Sequence, residues 1–254
     1  MLLLLKLALP PVLVAVISLV ARRVGPTIGG MLVGLPWMTG PVLYFLALDK
    51  GIDFAVAACV GIELGVICVA IFILTYAAAA SFLRWPGCVA AGAVAFGGAA
   101  LVLREVVLDL PSAAALALVS LVVAYLLLPS PRTPFAMQAL PWWDIPARML
   151  SALALIAVIL FTADLLGPQL SGIVSTYPTI VTVVSAFTHH QWGVEALRRL
   201  LRGMTLSLIV FVGFFLVIGL TMPSIGLALS FMLASALALA AQGIVFAAMR
   251  ASGL

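Results

Sequence analysis

Charge is what this chain has least of: 8% of its 254 residues are Asp, Glu, Lys or Arg, against 66% hydrophobic. A soluble domain carries about a quarter of its residues charged. This composition cannot dress a water-facing surface, so the outer surface is expected to be lipid. Histidine is nearly absent, with 2 residues, and the 3 cysteines, Cys59, Cys68 and Cys88, form no CxxC pair. All three lie in apolar stretches, where a free thiol packs like a small hydrophobe. There is no G-x-S-x-G elbow, no HExxH helix and no Gly-rich phosphate loop after a strand. The expectation is therefore a protein that is not an enzyme and has no metal or cofactor. The net charge of +4 reports membrane topology before anything else, and no nucleic-acid partner is expected.

What the chain has in abundance is apolar length, with a mean hydropathy of +1.36. Uncharged runs cover 24–48, 64–83, 85–103, 110–131 and 203–249. Each is long enough for one membrane span, and the last for two. The apolar N-terminus has a weak basic region and no clean cleavage site, so it reads as a first span rather than a signal peptide. The pattern predicts nine helices, near 3–21, 26–48, 52–80, 85–107, 111–128, 147–165, 167–189, 194–221 and 224–249. With nine spans, Arg22, Arg23, Arg84, Arg132, Arg148, Arg198, Arg199, Arg202 and Arg250 share one face. Lys6, Lys50 and Arg104 take the other. The positive-inside rule then puts the N-terminus outside and the C-terminus in the cytoplasm of a bacterial inner membrane, in a multi-pass chain. The proline-rich stretch 129–147, with Trp142 and Trp143, reads as a cytoplasmic connector rather than a site.

Helix breakers are concentrated where an apolar chain should least want them, in GPTIGGMLVGLPWMTGP, Gly25 to Pro41. Sliding the chain by 142 residues lays this stretch on GPQLSGIVSTYPTIVTV without a gap. Gly25, Pro26, Gly30, Pro36, Val42, Phe45, Gly51 and Gly61 fall on Gly167, Pro168, Gly172, Pro178, Val184, Phe187, Gly193 and Gly203. Most of these are Gly or Pro, residues held in place by backbone requirements. Five spans separate the copies, so the second enters the membrane upside down. The fold class expected is all-α: a polytopic helical membrane protein of about nine transmembrane helices, with two inverted repeats and a proline-interrupted helix in each. Repeat 1 takes 1–107 and repeat 2 takes 147–254, joined by span 5 and the loop at 108–146. Paired interrupted helices in two inverted halves point to a binding site at the midplane. Close helix packing through glycine is the alternative reading of the same residues.

The segment from Leu165 to Phe214 carries Tyr177-Pro178-Thr179, then His189, then Gly193-x-x-Ala196-Leu197-Arg198 and a further span. In these motifs it resembles the GlpM-type small bacterial membrane proteins. Those have one short unit where this chain carries two. The resemblance implies architecture and names no substrate.

Glu63 lies ten residues past Asp53, about 15 Å along a helix and near the middle of a ~30 Å core. It is the candidate ion-coupling residue and proton carrier; a structural glutamate, protonated or paired with arginine, is the alternative. Span 7 carries a polar stripe, Ser171, Ser175, Thr179 and Thr182, beside Tyr177 and Pro178. With Gly34, Pro36 and Trp37 of span 2, these are the candidate substrate-binding residues. Arg198 and Arg202 are candidates for an anionic group or lipid headgroup. His189 and His190 point about 100° apart on a helix and cannot grip one metal together. Two functions remain open from these residues. One is a proton-coupled secondary transporter of a small polar solute. The other is a lipid flippase or a non-transporting subunit of an envelope-assembly complex. The partners expected are the bilayer, the solute and a second copy of the chain in a homo-oligomer.

Overall fold

The computed structural model describes residues 2–133, 140–158 and 177–251, and every regular element among them is helical. The helices are α1 (Leu2–Val24), α2 (Pro26–Val33), α3 (Thr39–Lys50), α4 (Ile52–Ala79), α5 (Trp85–Leu103) and α6 (Leu110–Leu127). They continue with α7 (144–158), α8 (Thr179–Ile225) and α9 (Leu227–Ala251). Local chemistry starts several of them. Pro26, Pro86 and Pro111 occupy the first turns of α2, α5 and α6, where a missing N–H leaves no bond unmade. Among the described residues, α4, α5, α6, α8 and α9 are long and apolar enough to cross a membrane. The protein is a helical membrane protein, and its apolar helices suit contact with the lipid bilayer.

Two junctions are built alike. Gly51, between α3 and α4, has φ 91 and ψ 169; Gly193, inside α8, has φ 79 and ψ −175. Side chains with a Cβ rarely adopt this backbone. At Gly193 the helical path bends, so α8 has a first arm before it and a longer second arm after it.

α4 and α8 form the centre. α4 packs on α3, α5, α6 and α8, while α8 packs on α1, α2, α4, α5, α6 and α9. The tightest approach is between α2 and the second arm of α8. A Cβ at Gly30 would lie 2.0 Å from the Leu200 carbonyl oxygen, and one at Gly203 would lie 2.2 Å from that of Thr27. Backbone meets backbone there, which only small residues allow in a membrane. The two predicted halves therefore interleave, with α2 of the first seamed to α8 of the second. Cys59, Cys68 and Cys88 are free and buried.

Candidate functional site

Pro36 does locally what proline must. It has no N–H to offer the Leu32 carbonyl, α2 ends at Val33, and α3 starts at Thr39. The freed carbonyl is taken by the Trp37 indole, whose Nε1 donates to it at 2.8 Å. Trp37 is 44% exposed, so its ring caps the break from outside. Gly34 closes α2 against α8: a Cβ there would meet the Ser207 Cβ at 2.7 Å and the Met204 carbonyl oxygen at 2.8 Å.

Tyr177 and Pro178 are non-helical and lead directly into α8. Thr182 donates to the Pro178 carbonyl at 3.0 Å, and its hydroxyl is hydrogen-bonded to that of Tyr177 at 3.0 Å. The Phe72 and Phe96 rings pack edge-on against Tyr177, with centroids at 6.1 and 5.5 Å. Thr179 and Thr182 are both buried. The structure thus brings Tyr177, Pro178 and Thr182 together beside α4 and α5, and seats Gly34 against the second arm of α8. Ser171 and Ser175 lie outside the described residues.

Glu63 is completely buried in α4, and among the described residues neither carboxylate oxygen has a hydrogen-bond partner. It lies where two apolar clusters adjoin, one holding Val66 and Ile67, the other Cys59, with Val60 and Ile62 packed against it. Among the described residues, no candidate substrate-binding side chain bonds to it. Chemically, such a carboxyl can take up and release a proton as its surroundings rearrange. Thr205, which the 142-residue offset places on Glu63, is buried as well and satisfies itself on the Leu201 carbonyl at 2.8 Å.

The two arginine candidates have protein partners. Arg198 forms an ion pair with Glu195 at 2.6 Å. Arg202 donates to the Leu128 carbonyl at 2.9 Å and stacks on the Tyr125 ring at 4.2 Å. It thereby caps the C-terminal end of α6, the favoured place for a cation on a helix.

One polar cluster escaped the sequence reading, inside the segment read as a connector. Asp144, wholly buried at the head of α7, binds Arg22 of α1 at 2.5 Å and Arg148 at 2.8 Å. It also accepts from Gln191 of α8. Arg148 in turn donates to Gln191 at 2.6 Å and stacks on Phe187 at 4.9 Å. Burial alone raises the Asp144 carboxyl. The Gln191 hydrogen bond and the two guanidiniums outweigh it and hold the group below the usual carboxylate range. The i, i+4 spacing of Asp144 and Arg148 was the available signal.

Between α8 and α9 runs an open-sided groove of about 340 Å³, lined by Ile209, Gly213, Phe214 and Val217 on one side and Leu237 and Ala241 on the other. Ser207 and Gln242 bond across the same helix pair at 3.1 Å. Among the described residues, no three His, Cys, Asp or Glu side chains are placed to hold a metal ion. Compared with known proteins, the chain matches no family model, no curated protein and no solved structure.

Proposed function

We propose that this chain is a proton-coupled secondary transporter of the bacterial inner membrane, moving a small polar solute by alternating access. The observation that carries this reading is Glu63, a fully buried carboxyl without a partner in a membrane-spanning helix. An ionisable residue so placed marks an ion or substrate path by default. Interrupted backbone supports it: α2 and α3 part around Pro36, and Tyr177 and Pro178 stand outside the helix that Thr179 begins. Broken helices are kept in membranes where they line a site.

The matched backbones at Gly51 and Gly193, 142 residues apart, support reading the chain as two inverted repeats in nine spans, with the N-terminus outside. The likeness of 165–214 to the GlpM-type proteins agrees with that architecture. Because α2 is seamed to α8, the bodies that rock against each other are assembled from pieces of both sequence halves.

The deciding experiment is uptake into proteoliposomes over a panel of amino acids, sugars and polyols, with a pH dye trapped inside. Solute entry with proton movement, both abolished by Glu63→Gln, is the expected result. Solute entry that survives the substitution removes Glu63 from the coupling.

The apolar groove between α8 and α9 favours one second reading, a flippase for a lipid or lipid-linked intermediate. Its sideways opening matches an acyl chain. Translocation of a fluorescent phospholipid, blocked by Gly213→Trp, would replace the solute reading.

A further inference from the structure

Among the described residues, three buried polar atoms where the first arm of α8 meets α4 and α5 have no protein partner: the Tyr76 hydroxyl, the Ser185 hydroxyl and Nδ1 of His189. Tyr76 and Ser185 are wholly buried. Thr182, Ser185 and His189 recur at i, i+3 and i+7, so they share one face of the arm. The Tyr76 ring meets that of His189 at 6.0 Å. Tyr177, just before the arm, is bonded to Thr182. These groups make a polar row of about 10 Å along the arm, from His189 to Thr182, whose hydroxyl donates to the Pro178 carbonyl. Phe72, 6.0 Å from Tyr76 and 6.1 Å from Tyr177, flanks it on the apolar side.

Native structures leave few buried polar groups without a partner. A buried water typically makes about three hydrogen bonds to such groups. Full burial of Tyr76 and Ser185 limits the occupant to water size, which excludes the solute itself.

We propose that Tyr76, Ser185 and His189 bind internal water that joins them to the Tyr177–Thr182 pair, forming a proton relay between the His189 end of the arm and the Pro178 break. Its role as a relay rests on the proton-coupled reading above; the water does not. In the relay His189 takes a proton on one ring nitrogen and gives one up from the other. Each hydroxyl and water accepts one proton and releases one, so only O–H and N–H bonds change and no charge is left behind. The titratable groups facing the row are Tyr76 of α4, Cys88 of α5, and Tyr177 and His190 on its own segment. Beyond its end, Asp144 and Arg148 bond Gln191.

Hydroxyl-radical labelling by X-ray radiolysis tests the water directly, because it marks buried side chains that touch internal water. Tyr76 is expected to be modified at least tenfold faster than its buried apolar neighbours Phe72 and Phe96, and Ser185→Ala to slow it severalfold. Equal rates for all three rings overturn the water site. In the uptake assay, Tyr76→Phe keeps the ring and is expected to cut proton movement, and the solute entry coupled to it, about tenfold. Undiminished proton movement overturns the relay and leaves the transporter standing. Wild-type protein that moves neither solute nor protons removes the transport reading and the relay with it, while labelling still decides the water.

Discussion

Glu63 and Asp144 are both completely buried carboxyls, and nothing else about them is alike. Asp144 is answered by two guanidiniums and an amide, on three separate helices. Among the described residues, no hydrogen-bond partner answers Glu63. A buried charge is tolerated when geometry and hydrogen bonds compensate its lost hydration, and is expensive otherwise. Asp144 therefore fastens α1, α7 and α8 together, whereas the burial of Glu63 is offset by no hydrogen bond among the described residues, the contrast on which its proposed coupling role rests.

The largest effect expected from breaking this contrast is that of Asp144→Ala. Arg148 is left buried without its counter-charge, at a cost of about 3–5 kcal/mol, read as a large drop in Tm in detergent. Arg22→Ala removes one charge-assisted bond from a side chain that is 23% exposed, and costs about 1–2 kcal/mol in the same measurement. Acid titration sharpens the comparison further. The folded Asp144 carboxyl lies below its unfolded value, so its contribution is complete above about pH 4. It is lost as pH falls through the lower folded value. Thermal stability should be flat through neutral pH and fall below about pH 4, and Asp144→Asn should flatten that fall. Glu63→Gln has the smallest effect on stability, less than about 1 kcal/mol in either direction, because no partner is removed. A loss of several kcal/mol in that variant would mean that Glu63 has an unseen partner and would erase the contrast.

How much was legible depended on how local each cause was. The break at Pro36 was readable because a missing donor acts within one turn. Which group would take the freed Leu32 carbonyl was not, although Trp37 sits one residue away. Glu63 was found because its depth follows from helical rise. Arg202 was a candidate for an anionic group or lipid headgroup, and its partner at the end of α6, 74 residues earlier in the chain, could not be read from local sequence. The Asp144 cluster was missed for the same reason: Arg22 and Gln191 stand 122 and 47 residues away. The polar row was half legible. Its helical face could be counted from the sequence, but Tyr76 arrives from another helix.

By itself the sequence determined that this is a helical membrane protein, where its helices are interrupted, and which acid lies deep in the core. Those follow from composition, from proline and from helical geometry, all short-range causes. Only the tertiary structure decided which polar groups are compensated and how the halves interleave. Both depend on close approaches, such as Gly30 against Leu200, that no local pattern encodes.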